Sequence, residues 1–183
     1  MAPPSTASGP ATIGSERVAG WVLLGGTALV FVAGALFGAS QAGNDELGQW
    51  KPTVLGAGLL VTLFGLIAFE EALRERGERL LPRFGSAAFA IGSTSFIVAD
   101  ALNQGTGQFV FELERIYTVL ACVTIALFGW SILRSKSLSS AVGWVAIAWA
   151  ILDFLLYVGR IFPAPLGPNL ATLLFGAAFV RRR

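Results

Sequence analysis

The sequence predicts an all-α, polytopic membrane helix bundle of six transmembrane helices, with both termini in the cytoplasm. Three observations predict it. The apolar residues come in six long blocks, charge is scarce, and the arginines gather between alternate blocks.

Only 13% of the 183 residues are charged and 55% are hydrophobic, whereas soluble domains carry about 25% charged residues. The mean hydropathy is +0.71, and so little polar surface would not cover a water-soluble fold of this size. The apolar residues run in blocks rather than in periodic stripes, as a hydrocarbon core about 30 Å thick requires. A pI near 9.1 invites a nucleic-acid reading. Against it, the net charge is only +2 and the basic residues form short runs between apolar blocks, so no nucleic-acid partner is expected. The chain has no histidine, and its one methionine is the initiator. The usual axial haem ligands and the commonest transition-metal ligand are therefore missing. Cys122, the single cysteine, has no mate for a disulfide or thiolate cluster. No cofactor and no metal centre is expected, although carboxylates leave a hard-cation site open.

Residues 1–16 are rich in Pro, Ser, Thr, Ala and Gly without apolar period and read as a disordered cytoplasmic tail. The first block, about 18–40, exceeds the roughly 7–15 apolar residues of a signal peptide, and only Arg17 stands before it as a basic flank. It reads as an uncleaved anchor. Further blocks cover about 52–73, 84–102, 109–133 and 140–162. The sixth, about 165–180, is near the shortest length that spans a bilayer. Pro165 and Pro168 suit its start, where a missing N–H costs nothing. Residues 17–183 thus form one domain.

Orientation follows from Lys and Arg. With the N-terminus inside, the cytoplasmic segments hold Arg17, Arg74, Arg76, Arg79, Arg83, Arg134, Lys136, Arg181, Arg182 and Arg183. The external segments hold only Lys51 and Arg160, while Arg115 lies within a block. That is a strong positive-inside bias. Trp21, Trp130 and Trp144 fall at the inner interface and Trp50 at the outer one, as an aromatic belt requires. Trp149, inside the fifth block, does not fit the belt. Five spans would put the terminal arginines on the wrong side. The triplet Gly20-Trp21-Val22 recurs as Gly143-Trp144-Val145, too short to mark a duplication. Gly34 with Gly38, and Ala35 with Ala39, have the four-residue spacing that permits close helix contact.

An ionisable side chain costs roughly 2.5–3.5 kcal/mol at the centre of a membrane helix and marks a candidate site where a partner can be named. Asp153 is the clearest case. Tyr157 and Arg160 lie on its helical face, with Arg160 roughly 10 Å away along the axis, too far for ready contact. In the fourth block Glu112 and Arg115 are three apart and able to pair, with Cys122 farther along that face, while Glu114 points elsewhere. In the third, Ser93, Asp100 and Asn103 share a face that Phe96 interrupts. The topology places Asp100, Glu112, Arg115, Asp153 and Tyr157 in the outer half of the bundle. This polar cluster is the candidate site. A structural role for it carries more weight: Arg115 would neutralise Asp100 or Asp153 across the bundle and pin helices together.

The segment from Glu70 to Arg83 offers i,i+4 pairs, Glu70 with Arg74 and Glu75 with Arg79. It reads as a solvated extension of the second helix, ended near Gly77 or Pro82, rather than as a lipid-headgroup site. Cys122 lies in an apolar helix, a setting that favours packing over nucleophilic chemistry. No phosphate loop, nucleophile elbow or metal motif is present, so no catalytic residue is assigned and no enzymatic activity is expected.

A helix opened by Gly143-Trp144, a Pro-containing loop and a short last helix ending in arginines make up about the last third of the chain. This order resembles a pattern in small uncharacterised bacterial six-helix membrane proteins. The resemblance implies a six-helix bundle and carries over no activity. The expected function is that of an accessory, structural or partner-binding subunit of the cell membrane, of the bacterial inner or plasma membrane type. Its partners would be the lipid bilayer and other membrane proteins. The alternative is binding or transport of a small molecule, proton or cation through the outer-half cluster.

Overall fold

The computed structural model describes residues 12–107, 110–159 and 166–181. Arg160, Arg182, Arg183 and most of the N-terminal tail lie outside the described residues. The chain forms α1 (Thr12–Gln41), a single turn α2 (Asp45–Gly48), α3 (Lys51–Arg74), α4 (Leu80–Thr106), α5 (Phe111–Ser135), α6 (Ser140–Val158) and α7 (Leu166–Arg181). Five stretches are long and apolar enough to cross a membrane: Glu16–Gln41, Glu46–Arg74, Leu80–Thr106, Phe111–Ser135 and Ser140–Val158. The sixth long helix, α7, has 16 residues, about 24 Å of helix.

Local signals set the boundaries. Pro52 stands in the first turn of α3, where its missing N–H removes a donor that would be orphaned anyway. Gly77 ends the α3 excursion in the left-handed region at φ 91°. There Gly77 N–H donates to Arg74 O and Glu78 N–H to Leu73 O, the paired bonds that close a helix C-terminus. Pro82 falls in the first turn of α4 rather than ending the preceding segment. Ser139 caps α6 by accepting from Ala141 N–H.

Each long helix packs on the next, and α7 returns to α1, so the six close into a ring. Neighbours run antiparallel. Along α1 and α3, Leu23 meets Gly65, Gly26 meets Thr62 and Val30 meets Gly58, one number falling as the other rises. The same holds for Gly129 with Gly143 and Gly20 with Gly176, where each glycine meets the carbonyl of the other. Glycine is required at these crossings because a Cβ on Gly26 would stand 2.5 Å from Thr62 backbone. Both Gly-Trp-Val triplets thus place a glycine at a helix crossing and a tryptophan outward, Trp21 and Trp144 being exposed. By contrast Gly38, one of the pair read from spacing, has open space beside it.

The ring interior is filled in two layers. Toward the end bearing Arg74, Arg134 and Arg181, Phe69 stacks on Phe128 at 5.0 Å and meets Phe179 edge-on at 4.5 Å and Phe175 at 5.5 Å. This cluster joins α3, α5 and α7. The other layer mixes polar groups with apolar ones, Phe96 packing on Tyr117 at 5.0 Å with Val30 and Leu55 also buried. The surface is apolar, with Phe64, Phe84, Phe111, Trp144, Leu155 and Val158 all exposed.

The basic residues are biased to one end. That end holds Arg17, Arg74, Arg76, Arg79, Arg83, Arg134, Lys136 and Arg181 together with Glu16, Glu70, Glu71, Glu75 and Glu78 and is net basic; the opposite end holds Asp45, Glu46, Asp100, Glu112 and Glu114 with Lys51 and Arg115 and is net acidic. The charges between α3 and α4 act across helices instead of along one. Arg76 donates to Glu16 of α1 at 2.6 Å, and Arg134 of α5 meets Glu78 at 3.1 Å. Arg74 pairs with Glu71 rather than Glu70. α1 starts at Thr12, within the segment read as a tail, and its Glu16 pairs with Arg76.

Gly26→Val and Gly129→Val should each destabilise the bundle by about 1–3 kcal/mol through overpacking. Gly25→Ala, at a site with open space, should leave the thermal midpoint in detergent unchanged or slightly raised. Equal midpoints for all three would refute the crossing-point role.

Candidate functional site

The buried residues of α6 are Gly143, Ala146, Ala150 and Asp153, a stripe at helical spacing. Its small side chains let α5 approach, and Asp153 closes the stripe. The carboxyl group is 4% exposed. Cys122 Sγ donates to its Oδ2 at 3.5 Å, and the Tyr117 phenol of α5 lies within electrostatic reach of it. On the α7 side it lies against Gly167, where any Cβ would overlap the carboxylate.

The first turn of α7 is therefore buried at the level of Asp153, with Gly167, Pro168 and Asn169 all enclosed. A buried helix start carries orphan N–H groups and a partial positive charge that an adjacent carboxylate complements. Pro168 removes one donor from the set. One turn before Asp153 on the same α6 face, the Trp149 indole N–H donates to Gly167 O at 2.7 Å. Trp149 thus works as an internal hydrogen-bond donor, which explains its absence from the interfacial belt. Asn169 Nδ2 donates to Tyr117 Oη at 3.2 Å, Thr172 Oγ1 donates to Asn169 O at 2.8 Å, and Thr27 and Thr172 hydroxyls meet at 2.8 Å. A polar string runs from α6 through α5 and α7 to α1.

The remaining candidates divide. Tyr157, one turn beyond Asp153, sets its hydroxyl beside Thr118 and Arg115 of α5, with Glu114 close by. Arg115 also meets Glu112 at 3.8 Å, both well exposed. Asp100 is drawn elsewhere. It is 2% exposed and pairs with Lys51 at the start of α3, whose ammonium stands 5.1 Å from the Phe37 ring centre. The α4 face read from spacing is real, since Ser93, Phe96 and Asp100 are all buried. Among the described residues the Ser93 hydroxyl and Asp100 Oδ2 find no hydrogen-bond partner. Of the five, Asp153 and Tyr157 thus share the α5–α6 seam with Arg115, Glu112 flanks it, and Asp100 belongs to a separate α3–α4 pair. Arg115, expected to neutralise Asp100 or Asp153 across the bundle, meets Glu112 on its own helix instead, and Lys51 takes that part for Asp100.

Sequence reasoning did not single out Tyr117, Asn169, Thr27 or Thr172, and it left Lys51 in an external loop and Cys122 as packing. Asn169 carried a signal, being a primary amide in an otherwise apolar block. Cys122 supplies Asp153 with a donor, which only the α5–α6 register reveals. Among the described residues no group of three His, Cys, Asp or Glu side chains is placed to hold a metal ion. The site offers a carboxyl, a thiol, two phenols and an amide, a set suited to holding and passing protons or binding a small polar group.

Comparison with protein-family models, with curated proteins and with solved structures finds no match.

Two outcomes test this geometry. Gly167→Ala should destabilise the bundle, and in the Asp153→Ala background the same change should cost much less, because the clash is removed. Thermal midpoints of the four proteins give the coupling. Lys51→Met should cost about 1–3 kcal/mol, between the exposed and buried extremes for an ion pair, and Lys51→Met with Asp100→Leu should recover most of it.

Proposed function

We propose that the protein is a multi-pass integral membrane protein of the cell membrane, of the bacterial inner or plasma membrane type. Its basic end faces the cytoplasm, and it serves as an accessory or structural subunit that binds other membrane proteins. The observation that supports this best is how the polar groups are used. Lys51 with Asp100, Arg115 with Glu112 and Cys122 with Asp153 are matched inside the chain, while the outside of the ring is apolar. Five helices of spanning length and composition and a basic end favour insertion with that end inside. The short α7 fits this reading, since its first turn finds polar partners within protein. Of α6, only four residues are buried, leaving Val145, Ile151, Leu152 and Leu155 for lipid or a partner.

A second reading, binding of a proton, cation or small molecule, is favoured by Asp153 itself. Among the described residues its contacts include no lysine or arginine, unlike those of Asp100. Intramembrane carboxyls of that kind are enriched at functional sites.

Orientation is tested with cysteines placed at Ser139 and Gly105 in a Cys122→Ala background. A membrane-impermeant maleimide on intact cells should label Gly105→Cys at once and Ser139→Cys only after permeabilisation. Labelling of Ser139→Cys from outside would overturn the topology. Purification in mild detergent should yield a stoichiometric complex that Ile151→Ala with Leu155→Ala weakens. A lone monodisperse chain from its native membrane would count against the subunit role.

A further inference from the structure

The α5–α6 seam has two polar rungs. The inner rung is Asp153 with Cys122 and Tyr117. The outer is Tyr157 with Thr118, Arg115 and Glu114. Thr118 and Cys122 are one turn apart on α5, as Tyr157 and Asp153 are on α6, so the rungs lie about 6 Å apart along the axis. The outer rung opens to the acidic end, where the Arg115 and Glu112 side chains are 60% and 72% exposed. Below Asp153, toward the basic end, the cluster of Phe69, Phe128, Phe175 and Phe179 closes the interior. The route is polar on one side of the carboxyl and aromatic on the other.

We propose that Asp153 is a proton-exchange site reached from the acidic end of the bundle along the seam of Tyr157 and Thr118, and closed to the basic end by the phenylalanine cluster. This rests on the reading of Asp153 as a functional carboxyl. The groups facing Asp153 are Cys122 and Tyr117 from α5 and Gly167 from α7, with Tyr157 one turn away on α6. The charged groups Glu114 and Arg115 stand at the outer rung. In the exchange one proton from external water adds to the carboxylate. The Thr118 hydroxyl donates to Glu114 O at rest and turns from it to pass its proton on; each hydroxyl on the way accepts one proton and releases its own, so Thr118 and Tyr157 end unchanged, and return follows the same path. The clamp and the exchange use the same atoms. Protonating Asp153 removes the charge that complements the α7 start, so the exchange carries a signal to the α6–α7 contact.

Trp149, bonded to Gly167 O beside that carboxyl, supplies the reporter. The experiment uses the full chain with Trp21, Trp50, Trp130 and Trp144 replaced by Phe, in oriented proteoliposomes, with stopped-flow pH jumps in impermeant buffer. A jump on the acidic side should give a fast fluorescence change that Asp153→Asn abolishes and that Tyr157→Phe with Thr118→Val slows at least tenfold. A jump on the basic side should give no fast phase. Infrared difference spectra between low and high pH should show a carboxylic C=O band absent from Asp153→Asn. That band separates loss of exchange from misfolding, because folded Tyr157→Phe with Thr118→Val retains it. No such band, or an unaltered fluorescence change in Asp153→Asn, would overturn Asp153 as a proton site. A band present, with equal rates from both sides or rates indifferent to the seam variants, would overturn the route alone.

Discussion

The start of α7 is a helix terminus enclosed by other helices, and its polar backbone must find partners there. Away from water an unmatched backbone group costs about as much as a lost hydrogen bond with its desolvation. Pro168 removes one of the donors and the Asp153 carboxyl lies against Gly167, while the Trp149 indole, itself a donor, ties α6 to Gly167 O. All three depend on α6 and α7 keeping one register. Ring closure depends on it too, because α7 carries Gly176 to Gly20 and two phenylalanines to Phe69.

From that constraint the two-layer interior follows. At the basic end the space enclosed by six helices is filled with aromatic rings that join α3, α5 and α7 without hydrogen bonds. Nearer the acidic end it holds the groups needed to satisfy the α7 start, and these recruit Tyr117, Asn169, Thr172 and Thr27 into one string. The ends are tied by ion pairs between different helices, Glu16 with Arg76 and Glu78 with Arg134 at one and Asp100 with Lys51 at the other. Polar chemistry inside this chain is thus first a matter of holding helices. Asp153 differs from Asp100 in having a thiol and a helix start rather than an ammonium among its contacts, and on that difference the proposal of proton exchange stands.

Much of the architecture was legible in the residues. Block length gave the helices, Gly77 and Pro52 gave boundaries, and the i, i+7 spacing put Ser93 and Asp100 on one buried face. Asp153 stood out as a charge in an apolar block. The site's partners were not legible. Glu70 and Glu75 matched Arg74 and Arg79 in sequence, whereas the observed ties run from Arg76 to α1 and from Glu78 to α5, because helix ends that meet in space compete with neighbours along the chain.

What the sequence determined alone was the helical class, the apolar exterior and the bias of Lys and Arg to one end, since these depend on composition and on periods within a segment. Tertiary structure alone decided that Asp100 belongs to Lys51, that Cys122 and Tyr117 belong to Asp153, and that the two glycine triplets sit at crossings. Such pairings depend on the rotation and vertical register of one helix against another. A shift of one residue turns a helical side chain by about 100°, and no local pattern fixes that angle.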